Sequence, residues 1–136
     1  MEKKLNLDEA KNGYLAKSVE ILNATESLSK DKYGIFEIFT NKKLNDAKEQ
    51  LSVYYKWLRE FDATYSGDFM LHGTIPDITM LNGNLSIVER SRNMFVSSLN
   101  SYEKALANIE SSTNFKLTTS IALIALLVAV LGLVIT

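Results

Sequence analysis

The sequence contains no cysteine and, among 136 residues, only one proline and one histidine. Without cysteine the chain has no disulfide framework, no thiolate metal site and no cysteine nucleophile. A single proline (Pro76) and six glycines disfavour loop-rich and collagen-like classes, so helices are expected. The lone histidine, His72, is too little for a zinc site, which needs three or four ligands.

The chain also lacks an excess of either charge. Fifteen basic and sixteen acidic side chains give a formal net charge of −1, and the basic residues are scattered among acidic ones. A protein that binds nucleic acid usually clusters lysine and arginine on one face. We therefore predict no nucleic-acid partner.

Sequence signatures of catalysis are missing as well. We find no glycine-rich phosphate loop, no histidine–glutamate metal spacing and no nucleophile elbow. The carboxylates fall mostly on polar helix faces, at spacings typical of a solvated surface. We predict that the protein is not an enzyme and uses no cofactor, metal or small-molecule substrate.

The most informative stretch is residues 117–136, which contain no charge and no proline. Twenty residues at ~1.5 Å each match the ~30 Å hydrocarbon core of a bilayer. Between Ile121 and Ile135 only Gly132 is neither alanine nor a large apolar residue, so no polar stripe marks a soluble helix. We predict a single transmembrane helix here, the alternative being a C-terminal helix buried within the fold.

Features on the N-terminal side of this span indicate a tail-anchored arrangement. The first residues lack the continuous apolar core of a signal peptide. Lys116 flanks the span, and the positive-inside bias then places the N-terminal domain in the cytoplasm. The expected architecture is all-α, with a soluble domain over residues 1–114 and the span over residues 117–136.

Apolar residues at heptad spacing predict three helices in the soluble domain, over about 6–30, 40–65 and 76–114. Tyr14 belongs to the first heptad row, Tyr54 to the second and Phe95 to the third. Short connections between such helices give an antiparallel, coiled-coil-like three-helix bundle. Asn82-Gly83 also matches a β-hairpin turn, but an isolated hairpin is marginal in water and the 3–4 apolar spacing favours helix.

Helix lengths further predict where the first connection lies. Counted from a shared loop at residues 66–76, the second helix would start opposite about residue 103. That position is about thirteen residues, or ~20 Å, from the span. No helix breaker occurs between residues 110 and 117, so the third helix is expected to run into the span.

Small side chains form one narrow face of the predicted span, at alternating spacings of four and three. Its members are Thr118, Ala122, Ala125, Ala129, Gly132 and Thr136. Lipid supplies no hydrophobic drive between helices, so close backbone approach across small residues allows them to associate. In a continuous helix this face lies opposite the bundle-facing row, because nine residues separate Ile109 from Thr118. We predict packing against other spans, chance occurrence of common small residues being the alternative.

Two further features could be functional. Arg92 occupies an apolar row, where an unpaired guanidinium is costly. It either reaches the surface from the edge of the bundle or meets an acidic or amide partner as a polar core layer that sets helix register. Phe69, Met70 and Leu71 place three apolar residues in a presumed turn, where they fold over the bundle or form a docking loop.

An arginine that interrupts heptad layers ahead of a C-terminal anchor resembles an R-type SNARE helix. The resemblance covers only residues 78–136, and fewer layers separate Arg92 from the span than in that family. It implies a fusion-type assembly helix.

Taken together, the features predict a membrane-bound accessory, scaffold or regulatory subunit, with lipid and either a second copy or other membrane subunits as partners. The alternative is a membrane-active effector, holin-like or of a defence type, whose spans oligomerise into a lesion. The polar residues of the span (Thr118, Thr119, Ser120 and Thr136) lie only at its ends, which favours packing over conduction.

Overall fold

A computed structural model of the chain describes residues 7–30, 38, 40–66 and 78–135. Its three long helices are α1 (Leu7–Lys30), α2 (Lys42–Ser66) and α3 (Ile78–Ile135). No strand occurs in these ranges, and the prediction of an all-helical chain is confirmed. The observed ends of α1 and α2 lie within two residues of those predicted.

Helix α1 forms because apolar and small residues recur on one side of it. Ala10, Tyr14 and Ile21 are buried at this spacing, while Asp8 and Glu9 occupy the first turn, where the helix dipole favours negative charge. Val19 and Leu22 widen the apolar face in the sequence, but both are about half exposed, so the buried stripe is narrower than the sequence pattern.

Helix α2 buries a comparable stripe. Leu44, Ala47 and Tyr54 are buried, and Trp57 and Phe61 pack against the same core. Asn41 precedes the helix in a left-handed conformation, with φ of 50°, and its carbonyl accepts a hydrogen bond from the Asn45 amide at 2.9 Å.

Helix α3 is continuous from the bundle to the apolar C-terminal stretch. Its 58 residues correspond to ~87 Å of helix. No break separates the predicted third helix from the predicted span, as the absence of a helix breaker indicated. Gly83 lies within α3, so residues 82–83 form part of a helix and not a hairpin turn.

Contacts between the helices set their directions. Leu7 and Val88 line one shallow cavity, and seven residues later the ring of Tyr14 lies 6.4 Å from that of Phe95. Helices α1 and α3 therefore run parallel. Helix α2 runs the opposite way, because residue numbers fall along α2 as they rise along α3 in three successive side-chain contacts. These contacts pair Asp62 with Arg92, Tyr55 with Glu103, and Lys48 with Glu110.

The core is centred on aromatic rings from all three helices. Tyr14 of α1 lies 4.8 Å from Phe61, and Trp57 lies 5.2 Å from Phe95 of α3. Gly13 faces the Phe61 ring so closely that a β-carbon would clash with it. Such rings bury large apolar areas and pack with geometric preference, so they hold the bundle together.

The start of α2 lies nearer the apolar stretch than the helix lengths indicated. Lys48 Nζ is 2.7 Å from Glu110 Oε1, and six further residues of α2 continue toward the C-terminal half of α3. The expectation that α2 starts opposite residue 103 is wrong. Asp62, near the end of α2, pairs with Arg92, which lies fourteen residues after the start of α3. The two helices are therefore offset along their axes, and the end of α2 does not lie opposite the start of α3.

Candidate functional site

The C-terminal part of α3 is exposed on every side. Side chains of residues 118–132, here called the apolar segment, are all exposed, including Leu123, Leu126 and Leu131. In the described part of the chain this is the one helix long and apolar enough to cross a membrane, and none of its most apolar window is buried. The alternative of a terminal helix buried in the fold is therefore wrong.

The small-residue face lies within this segment and on the side of α3 away from the core. Its described members, Thr118, Ala122, Ala125, Ala129 and Gly132, are all exposed. Ile109 packs against the core, and nine residues at ~100° each turn the helix by half a revolution before Thr118. A β-carbon added at Gly132 would meet no atom within 4 Å. The side chains of the bundle leave this face uncovered.

Two hydroxyl groups at the start of the segment donate hydrogen bonds within the helix. Thr118 Oγ1 donates to the Asn114 carbonyl and Thr119 Oγ1 donates to the Phe115 carbonyl, each at 2.9 Å. Bonds of this kind leave no hydroxyl proton unpaired on entering an apolar solvent.

Arg92 meets an acidic partner on α2. Its Nε donates to both oxygens of Asp62, at 3.0 and 3.1 Å, and its Nη2 donates to Oδ2 at 2.6 Å. The hydroxyl of Tyr14 on α1 donates to the same carboxylate at 2.5 Å. One carboxylate thus connects all three helices.

The Tyr14–Asp62–Arg92 cluster sits at the edge of the core. The side chain of Arg92 is 43% exposed and that of Asp62 is 30% exposed. Arg92 therefore combines the two arrangements considered for it, a peripheral position and an acidic partner. Since Asp62 pairs with the guanidinium from an adjacent helix, the arginine faces α2 of its own chain.

Hydrogen bonds in the cluster shift both pKa values. Burial by itself raises the pKa of Asp62, but hydrogen bonds from Arg92 and Tyr14 and the arginine charge together lower it below its ordinary value. The hydrogen bonds to Asp62 raise the pKa of Arg92, against the opposing effect of burial. Both groups are charged at neutral pH.

Sequence reasoning missed Asp62 and the hydrogen bond that it accepts from Tyr14. Asp62 follows Phe61 directly, at the edge of the apolar row, and resembles a surface carboxylate. The available signal was Arg92 itself, because a guanidinium in a core-type position requires an acceptor.

Other candidate residues carry less information. Phe69, Met70, Leu71, His72 and Thr136 lie outside the described residues. Among the residues that the structure describes, no group of three or more His, Cys, Asp or Glu side chains could hold a metal ion.

Comparisons with known proteins supply no further guide to the site. No protein-family model, curated protein or solved structure matches the chain.

Proposed function

We propose that the protein is a single-span, non-catalytic membrane protein in which α3 carries the helical bundle at the surface of a bilayer. The carrying observation is the apolar segment, which leaves the bundle as an unbroken continuation of α3 and is exposed on every side. In water that surface would be an exposed apolar patch of unusual size, whereas in lipid it is fully solvated.

In this proposal the protein acts as an accessory, scaffold or regulatory subunit that assembles through its span. Support comes from the face of Thr118, Ala125 and Gly132, which points away from the core of its own bundle and is therefore accessible to another helix. Small residues permit the close backbone approach on which helix association in lipid depends. The bundle is then free to bind other proteins at the membrane surface.

Two observations favour packing over permeabilisation. From Ile121 to Leu131 the segment has no polar side chain that could line an aqueous path. At its start, the hydroxyls of Thr118 and Thr119 donate to carbonyls of their own helix. A membrane-active effector would have to form a lesion lined by apolar side chains or lipid.

Membrane residence is tested by flotation of the full chain with lipid vesicles and by its resistance to alkaline carbonate extraction. We expect the protein to float and to resist extraction. Recovery as a water-soluble monomer would refute the proposal.

Assembly is tested by the mass of the detergent-solubilised protein. Ala125→Leu with Ala129→Leu adds bulk to the small-residue face, and we expect a defined assembly to dissociate. Val128→Leu with Val130→Leu adds bulk to the flanks of the same helix and should leave the mass unchanged. Equal masses for all three proteins would show that the small-residue face does not mediate assembly. Release of dye from vesicles by the wild-type protein would favour the effector alternative.

A further inference from the structure

Large apolar side chains remain about half exposed on the side of the bundle that α2 leaves open. They are Val19 and Leu22 of α1 and Ile87 and Met94 of α3. Lys17 and Arg92 contact residues of α2, and Val19 and Met94 follow them by two residues. Two residues turn a helix by ~200°, so Val19 and Met94 point away from α2.

Helices α1 and α3 present these side chains on one continuous face. Leu7 is level with Val88 and Tyr14 is level with Phe95, so Leu22 lies level with about residue 103 of α3. The apolar side chains therefore extend over ~24 Å, from the level of Ile87 to that of Leu22. Together with Leu15, which is partly buried, they are here called the α1/α3 face.

The middle of the α1/α3 face carries no charge. Residues 93–102 of α3 contain no charged side chain, and residues 12–25 of α1 contain only Lys17 and Glu20. The Lys17 Nζ lies 5.8 Å from the centre of the Trp57 ring of α2 and 2.7 Å from Glu20 Oε2, so both charges lie on the side of α2. An uncharged, partly apolar face of this length is typical of a contact surface.

Opposite charges border this face on its two helices. Asp8 and Glu26 lie five helical turns apart on the same side of α1 as Val19. Each uses one oxygen to bind a lysine of its own helix, and their side chains are 83% and 63% exposed. Arg90 and Lys104 lie about four turns apart on the outer side of α3, and neither forms an ion pair with any described residue.

A membrane span fixes the orientation in which two copies can meet. Copies held in one bilayer have parallel α3 helices, so a symmetric pair has its two-fold axis along α3. Such an axis places a surface patch against the same patch of the other copy and keeps every residue at its own level. With the axis at the α1/α3 face, α1 of each copy lies beside α3 of the other.

We propose that the α1/α3 face binds the same face of a second copy, an inference that rests on the proposed function because the span aligns the copies. Leu15 of one copy then lies at about the level of Met94 of the other. Asp8 lies within about one residue of the level of Arg90, and Glu26 within about three residues of that of Lys104. Each acid thus meets a cation of the other copy, and both pairs occur twice in the dimer.

The α1/α3 face and the small-residue face are different surfaces. Ala125 lies ~140° from Met94 around the continuous helix α3. The dimer therefore leaves the small-residue face accessible to another span. Contacts on two sides of α3 would link copies into larger assemblies, as a scaffold requires.

Cross-linking of the full chain in vesicles tests this dimer. The chain has no cysteine, so Met94→Cys supplies one thiol on the α1/α3 face, and Ser52→Cys supplies one at an exposed position of α2. With a short bismaleimide we expect Met94→Cys to form cross-linked dimers and Ser52→Cys to give only the background of random collisions. Equal yields for the two variants would refute the proposal.

Charge changes in the Met94→Cys chain test the contact between copies. Asp8→Arg alone places two cations at each contact and Arg90→Glu alone places two carboxylates there, and we expect either change to lower the yield roughly tenfold. A mixture of these two variants restores opposite charges at both contacts between unlike copies, so the yield should recover. Such recovery requires a contact between chains. Arg59→Glu, at an exposed position of α2, is the matched control and should keep the full yield.

Other outcomes refute the inference in distinguishable ways. If the mixture does not recover, Asp8 and Arg90 do not meet across copies, and the dimer is wrong while the span stands. If Ala125→Leu with Ala129→Leu abolishes the cross-link of Met94→Cys, the small-residue face and not the α1/α3 face holds the copies together. If the chain does not float with vesicles, the proposed function fails, and the dimer that depends on the span fails with it.

Discussion

The two parts of α3 differ in which of their residues face outward, although one unbroken helix contains both. From Val88 to Thr113, buried residues follow the 3–4 spacing of a single stripe, and the remaining sides are mostly polar and exposed. In the apolar segment large apolar side chains occur on every side except the narrow small-residue face, and none is buried. The same backbone geometry therefore carries two different side-chain patterns.

The contrast shows that side-chain patterning, and not helix formation, distinguishes the two parts. In water, burial of one stripe against α1 and α2 stabilises the helix, as for most amphipathic helices. In lipid, internal backbone hydrogen bonds are themselves obligatory and no buried stripe is needed. The change takes place between Thr113, which is buried, and Thr118, which is exposed.

Truncating an apolar side chain in each part should give the largest difference. Phe95→Ala removes a fully buried ring from the aromatic core, and we expect the free energy of unfolding to fall by about 4 kcal/mol. Leu127→Ala, in the exposed segment, should change it by less than about 0.5 kcal/mol. Urea titration in mild detergent, followed by Trp57 fluorescence, measures both. Equal losses would mean that the segment packs into the bundle.

A charge added to α3 should have its larger effect in the apolar segment, whereas truncation should have its larger effect in the bundle. Leu127→Arg places a guanidinium in the middle of the apolar segment, where membrane insertion becomes less favourable by roughly 3 kcal/mol. We expect much of this variant to leave the carbonate-resistant membrane fraction. Asn100→Arg, at an exposed position of α3 within the bundle, should remain in the carbonate-resistant fraction. Retention of both variants would argue against a span in this part of α3.

Heptad spacing predicted much of this fold because apolar residues at that spacing lie on one side of a helix, and that side packs against the other helices. Tyr14, Tyr54 and Phe95 were placed in apolar rows and are all buried. The apolar rows were less informative about the width of the buried face on each helix. Leu22 extends the apolar face of α1 in sequence, yet two neighbouring helices cover only a narrow stripe and leave it about half exposed.

Relations between helices were harder to predict than the helices themselves. Loop lengths do not determine an axial offset, so the pairing of Lys48 with Glu110 was not foreseen. Nor was that of Asp62 with Arg92, since nothing local distinguishes that carboxylate from its solvated neighbours. The small-residue face was predicted from spacing alone, and its role in assembly stays a prediction.

The ion pair that joins α2 to the bundle half of α3 should contribute modestly. We expect Asp62→Asn to lower the free energy of unfolding by roughly 1–2 kcal/mol, because Arg92 loses its charged partner. A double-mutant cycle with Arg92→Gln should give a coupling of about 1 kcal/mol. The more exposed pair Lys48–Glu110 is the control, and its cycle should give less than about 0.5 kcal/mol. A larger coupling in the control would indicate that burial does not determine the strength of these pairs.

The smallest expected effect is a pH dependence confined to the bundle half. Because the pKa of Asp62 is lowered in the folded state, its charge contributes stability that is present above the unfolded-state value and lost as the pH falls through the folded-state value. The difference in unfolding free energy between wild type and Asp62→Asn should thus be constant from about pH 7 to 5 and shrink below about pH 4. Leu127→Ala should follow the wild-type profile throughout, since no titratable group lies in the apolar segment. A wild-type advantage over Asp62→Asn that persists unchanged well below pH 4 would show that the carboxylate charge is not its source.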